Sequence, residues 1–198
     1  MIVGITGSIG SGKTTAAKIF SKYHFARIDA DRIGHDIIKR NSAAYKKIIK
    51  EFGNETLGKS KNIDRKKLGN IVFTNEKKLK KLNSIAHPII INEIKSQIRK
   101  IKQKCGNNAK IVVDAPLLLE TKTKNFVDKI IVVKSSKEKV IKRLNKKYPE
   151  EKIEKILKMQ MPLGEKLKKA DFVIYNDKDL KYLEKQVKDI IKKLEIKK

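Results

Sequence analysis

Close to the N-terminus, a short apolar run gives way to Gly7-Ser8-Ile9-Gly10-Ser11-Gly12-Lys13-Thr14, and no other stretch constrains the fold as tightly. The spacing of Gly7, Gly12, Lys13 and Thr14 is that of a phosphate-binding loop, which works only between a buried strand and a helix. Residues 2–6 supply the strand, and a helix beginning near Lys13 would bury Ala16, Ala17 and Phe20. Glycines at 7, 10 and 12 admit backbone conformations closed to other residues and let amide N–H groups approach phosphate oxygens. The helix start adds unpaired amides and the positive end of the helix dipole. Lys13 is then placed to reach the β- and γ-phosphates of a nucleotide, and the Thr14 hydroxyl to ligate Mg²⁺.

Strand-like apolar runs recur at 26–29, 111–114, 129–133 and 172–175, with helical patterns between them. This alternation predicts a mostly parallel sheet covered on both faces, an α/β fold with a P-loop core of five strands. One interval departs from it. Between Asp31 and Cys105 the periodicity is helical throughout, with Leu79, Leu82 and Ile85 in one run. Pro88 suits the first turn of a further helix carrying Ile90, Ile91, Ile94, Ile98 and Ile101. Ser135-Ser136-Lys137-Glu138 has capping-box spacing and should open a helix through Leu144. Residues 145–169 are lysine-rich, hold Pro149 and Pro162, and read as a flap. The last helix carries Leu180, Leu183, Val187, Ile190, Ile191 and Leu194 on a core-facing side. The expected organisation is a nucleotide-binding core at 1–31, 106–144 and 166–198, a helical acceptor-binding domain at 32–105, and a short lid at 145–165.

The net charge of +27 invites a nucleic-acid reading. Its make-up argues otherwise: six of the 49 basic residues are arginine and 43 are lysine, spread along the helices. Lysine lacks the bidentate fork that phosphate recognition favours, and aromatics at 6% give little base-stacking surface. We therefore expect a solvated basic surface that attracts anionic substrates, with no specific nucleic-acid partner. No run approaches the roughly 20 apolar residues of a membrane span. The single Cys105 cannot form an internal disulfide, and the N-terminus lacks a secretory pattern, so a cytoplasmic protein is expected. His24 and His35 have no spacing partners for a metal site.

Two further features carry chemistry. The apolar strand 111–113 ends in Asp114, where a carboxylate partner of the nucleotide's Mg²⁺ would sit. Ile28-Asp29-Ala30-Asp31 places two carboxylates at the end of the second strand, the end that faces the phosphate loop in a parallel sheet. Alternation on a strand would send both the same way, and either could take the proton of an acceptor hydroxyl. The Asn-Lys-x-Asp base-reading pattern of GTPases is absent, since Asn176-Asp177-Lys178-Asp179 has a different order. A small-molecule kinase is favoured over a hydrolase or GTPase; a P-loop kinase with a nucleoside or nucleotide acceptor and a basic nucleic-acid-stimulated ATPase remain as rivals.

These pieces fall into a recognisable order. Together with 4–15 and 28–31, the chain has Phe52-Gly53, Asp64-Arg65, Leu68, Val72-Phe73, Leu82-Asn83 and His87-Pro88. It continues with 114–120, Arg143-Leu144, Gln160 and 170–176. From end to end the chain resembles the dephospho-coenzyme A kinases. The resemblance implies transfer of the ATP γ-phosphoryl group to the ribose 3′-hydroxyl of dephospho-CoA, with Mg²⁺. It implies Asp31 as base, Lys13 and Arg143 as catalytic cations, and ATP binding by Gly10, Ser11, Gly12, Lys13, Thr14, Thr15, Arg143, Lys147 and Asn176. It implies Thr14 and Asp114 as metal residues. The acceptor would meet Asp31, Arg65, His87, Pro88, Leu117, Leu118 and Glu120. Two positions depart from the family pattern: Ser8 stands for a second glycine, and Lys147 for a lid arginine, keeping charge without the fork. A monomer or small homo-oligomer is expected.

Overall fold

The structure, a computed structural model, describes residues 1–145 and 148–196, Lys152 through its backbone only. Five strands form one parallel sheet: β1 (Ile2–Gly7), β2 (Ala26–Asp29), β3 (Ile111–Asp114), β4 (Lys129–Lys134) and β5 (Phe172–Tyr175), in the order β2-β3-β1-β4-β5. The interior strands β1 and β3 are buried at every position, as continuous apolar runs require when helices cover both faces. The edge strands β2 and β5 bury one residue each, Ile28 and Ile174.

Helices α1 (Lys13–Lys22) and α9 (Leu180–Ile196) close one face. Their Ala16, Phe20, Leu183 and Val187 pack with Val3, Ile5, Ile131 and Val133. Phe20 meets Phe25 edge to face at 5.1 Å. Each fully buried side chain of this size contributes about 1.5–3 kcal/mol. Leu180 opens α9 but is 54% exposed, so the buried stripe begins at Leu183 and not where the apolar spacing suggested. Helix α6 (Lys137–Leu144) starts one residue later than a Ser135 cap would give. Ser136 is the N-cap, accepting from the Lys139 amide, because the Ser135 hydroxyl is taken by Asn176 O and Asp177. Helices α7 (Glu150–Met159) and α8 (Leu163–Lys168) follow.

The contacts divide the chain into two compact units, Met1–Asp29 with Ile98–Lys198, and Ala30–Gln97. The second unit holds α2 (Ala30–Asp36), α3 (Tyr45–Phe52), α4 (Arg65–Phe73) and most of α5 (Glu76–Cys105). Asp64 caps α4 by accepting from the Lys66 and Lys67 amides. Two expectations change here. Pro88 lies inside α5 instead of opening a helix. An interior proline costs about 3 kcal/mol, but Leu82, Ala86, Ile90 and Ile94 follow at steps of four, so the apolar face passes through the proline without a phase break. Asp31 lies in the first turn of α2, because β2 ends at Asp29. The two-residue alternation of a strand therefore does not relate Asp29 to Asp31.

Candidate active site

Because all five strands are parallel, their C-terminal ends share one sheet edge, the location of ligand crevices in open α/β sheets. Gly7, Asp29 and Asp114 all lie there, and the register sets Asp29 beside Asp114 and Asp114 beside Ile5.

The phosphate loop leaves β1 at Gly7 and turns through a Ser11 N–H bond to the Ser8 carbonyl of 3.1 Å. Gly12 has φ 92° and a Cβ there would stand 2.1 Å from Asn176 Nδ2, so only glycine fits. Gly12 also occupies the N-cap of α1 without a side-chain cap. The first amides of α1 are thus left uncapped by any side chain, as an anion-binding helix start requires.

The loop is braced through its carbonyls. Arg143 Nη1 donates to Gly10 O at 3.1 Å, to Ser11 O at 3.4 Å and to Ser135 Oγ at 3.1 Å, while Nη2 donates to Asn176 O at 2.7 Å. Asn176 Nδ2 donates to Ser11 O at 2.8 Å. Asp177 anchors this brace from behind by accepting from the Ser136 amide and the Ser135 hydroxyl; those bonds hold its carboxyl below the usual range. On the other side, the Ile9 amide donates to Gln160 Oε1 at 3.1 Å, tying the α7–α8 link to the loop.

At the strand ends the charges form a chain. Lys13 Nζ lies 3.6 Å from Asp114 Oδ1. Arg27 Nη2 donates to Asp114 Oδ2 at 2.8 Å and to Asp29 Oδ2 at 2.5 Å. The Asp114 side chain is 1% exposed, and its Oδ1 has no hydrogen-bond partner. Oxygen donors suit a hard cation such as Mg²⁺, and an orphaned carboxylate oxygen beside the phosphate-loop lysine fits a metal carried on a nucleotide. Arg27 escaped sequence reasoning; its one signal was its place two residues before Asp29 on a strand.

The segment after β3 is held by a second group missed in the sequence. Lys166 of α8 is fully buried and donates to the Pro116 carbonyl at 3.0 Å, with Glu120 Oε1 also at 3.0 Å. The Thr6 hydroxyl donates to the same carbonyl, and the Met161 amide to Glu120 Oε1. Leu118 is fully buried and lies against Gly4, whereas Leu117 is partly exposed. Leu118 and Glu120, expected on the acceptor side, are thus engaged in packing and in the Lys166 pair. Nothing in a lysine-rich sequence singles out Lys166, the one lysine that packing buries among the described residues.

A sheet of this order, an uncapped glycine loop and a lysine–aspartate pair at the strand ends describe a P-loop kinase core. A family model described as CoaE, dephospho-CoA kinase, matches residues 1–182. The chain belongs to the dephospho-CoA kinase family. A dephospho-CoA kinase of Fusobacterium nucleatum is 44% identical, over 94% of this chain and 95% of the relative. That of Carboxydothermus hydrogenoformans is 42% identical, over 97% of this chain and 93% of the relative. The solved dephospho-CoA kinase of Campylobacter jejuni superposes with a TM-score of 0.70 at 32% identity, covering 98% of this chain and 96% of that one.

The remaining residues that resemblance to dephospho-CoA kinases assigned to the acceptor lie in the helical unit. Asp31 stands at the start of α2, and Arg65 begins α4 with its guanidinium 3.5 Å from His35 Nδ1. His87 is half-buried within α5, beside Pro88, and burial holds its imidazole below the ordinary histidine range. That unit also contains a cavity of about 510 Å³, lined by Ile33, Ile37 and Ile89 with Asp36, Asn92 and Gln97. Thr14 and Thr15 lie in the first turn of α1. Lys147 lies outside the described residues. Among the described residues, no helix is long and apolar enough to cross a membrane, and no group of three or more His, Cys, Asp or Glu could hold a metal without other ligands.

Proposed function

We propose that the chain transfers the γ-phosphoryl group of ATP to the ribose 3′-hydroxyl of dephospho-CoA, the last step in coenzyme A formation. The observation that carries the donor half is the Lys13–Asp114 pair at the mouth of an uncapped phosphate loop. Loop amides and the start of α1 receive the phosphates, with Gly10, Ser11, Gly12, Lys13, Thr14 and Thr15 as the contact positions. Lys13 exchanges its interaction with Asp114 for the β- and γ-phosphates. Arg143 and Asn176 serve the nucleotide through the loop they brace, which keeps the amides in place as charge develops. Thr14 and Asp114 would hold Mg²⁺, which supplies Lewis-acid neutralisation of phosphate charge.

On the acceptor side Asp31 takes the hydroxyl proton, and Arg65, His87, Pro88 and Leu117 line the acceptor. Leu118 and Glu120 shape the segment that carries Leu117. The cavity sets isoleucines and amide side chains beside the carboxylates of Asp36 and Glu93, a lining that suits the methylenes and amide groups of an acceptor arm and not its phosphates. We place the core at 1–31, 106–144 and 166–198, the acceptor domain at 32–105 and the lid at 145–165. An exposed unpaired Cys105 suits the reducing cytoplasm.

The test is a coupled assay with ATP and Mg²⁺ offering dephospho-CoA, AMP, dTMP, uridine and shikimate in parallel. Turnover confined to dephospho-CoA, with phosphate on the 3′-oxygen, is the expected outcome. Preference for any other acceptor would overturn the reading.

A further inference from the structure

Asp29 and Asp114 are neighbours across the β2–β3 register, and both present an oxygen to one nitrogen of Arg27, at 2.5 and 2.8 Å. Two carboxylates close enough to share one donor also form a ligand set that a divalent cation can bridge. The Arg27 guanidinium already stands in the bridging position. Its charge is poorly screened, because the Arg27 side chain is 19% exposed and Asp114 1%. The two oxygens of Asp114 are thereby divided: Oδ2 belongs to Arg27, while Oδ1, without a hydrogen bond, faces Lys13 at 3.6 Å.

We propose that Arg27 is the resident counter-ion of the Asp29–Asp114 pair, and that it keeps this pair from taking a divalent cation in the absence of nucleotide. The metal role of the site is then confined to the open Asp114 oxygen and to an ion that arrives with the triphosphate. Arg27 acts as a positioning residue that touches neither phosphate nor acceptor. Arginine suits the task because its charge is permanent and one terminal nitrogen carries two N–H groups, one for each carboxylate. The inference rests on the assignment of Asp114 to the metal. Asp114→Asn tests that assignment separately, through loss of the Mg²⁺ dependence of ATP binding.

The experiment is a titration of nucleotide-free protein with Mn²⁺ as probe, read by electron paramagnetic resonance of the free ion. Neither nucleotide nor acceptor is present, so failure of the dephospho-CoA reading leaves the result untouched. Wild type should bind Mn²⁺ only weakly. Arg27→Met should gain one site per chain, at least about tenfold tighter, because removal of a unit positive charge within contact distance favours a divalent ion. Arg27→Lys should behave as wild type, and the double variant Arg27→Met with Asp29→Asn should lose the gained site. Arg27→Gln, which keeps donors for both carboxylates but no charge, replaces the methionine variant if that one fails to fold. The proposal is overturned if the neutral variants bind Mn²⁺ no tighter than wild type. It is equally overturned if Arg27→Lys gains the site, or if wild type already holds Mn²⁺ in a manner that Asp29→Asn abolishes.

Discussion

Lys13 lies 3.6 Å from the Asp114 carboxylate and, in the proposed reading, also serves the nucleotide phosphates. Its removal takes away the cation that follows charge onto the transferring phosphoryl group, so Lys13→Ala should abolish turnover in the coupled assay. Asp31→Asn should lower kcat by about two to four orders of magnitude while leaving ATP affinity within about twofold, the loss expected for a general base that the nucleotide does not touch. Normal turnover in that variant would remove Asp31 as base. Gly12→Ala carries two penalties, a positive φ and a Cβ placed 2.1 Å from Asn176 Nδ2. Denaturant unfolding should show a loss of about 1–3 kcal/mol, and ATP binding should weaken because Asn176 must release Ser11 O.

At the scale of elements, the phosphate loop depends on supports distant in sequence. The α6 arginine, the asparagine that follows β5 and the α7–α8 link each bond to it. Helix α8 in turn holds the segment after β3 by one buried ammonium group shared between Pro116 O and Glu120. Lys166→Met should cost about 2–4 kcal/mol in unfolding experiments, since removal of one member strands its buried partners. The cost falls short of a fully buried pair because the Glu120 side chain is 20% exposed. In the helical unit, Ile89→Trp should fill part of the cavity. We expect KM for dephospho-CoA to rise about tenfold with KM for ATP unchanged; an unchanged acceptor KM would remove the cavity from the acceptor's path.

For the whole molecule, Asp177 and His87 are two of the groups through which pH acts, with opposite chemistry and the same sign. The folded state lowers the pKa of Asp177, first through the Ser136 amide. Its contribution is present above the unfolded carboxylate value, about 4, and is lost as pH falls through the lower folded value. Burial lowers the pKa of His87, so the folded chain prefers neutral imidazole. The unfolded chain takes up that proton first, near about pH 6.5, and stability declines from there downward until the folded value is passed. Thermal melts should therefore show two acid-side declines. Asp177→Asn should shrink the lower, which Asp36, Asp64, Glu76 and Glu138 share, and His87→Asn should flatten the upper; a pH-independent difference from wild type would count against each assignment.

Much of this protein was legible as sequence wherever the physics is local. A glycine loop specifies its own turn, and apolar runs of four to six residues mark buried strands, so the five strands and the loop between β1 and α1 could be read directly. Short-range rules misjudged the ends of elements: the cap of α6, the passage of α5 through Pro88, and the place of Asp31 in a helix. The first was decided by a competing bond and the second by a continuous apolar face, while the third follows from β2 ending at Asp29. The strand order, and with it the meeting of Arg27, Asp29 and Asp114, depended on long-range pairing that no residue encodes alone. Lys166 is the sharpest case. Forty-three lysines look alike on paper, and only the closure of α8 over the Pro116 carbonyl takes one of them out of water. The sequence by itself determined the glycine-loop turn and its place between β1 and α1, because backbone conformation is set by adjacent residues. The tertiary structure decided which charges share a site, because electrostatic partnership depends on distance in space.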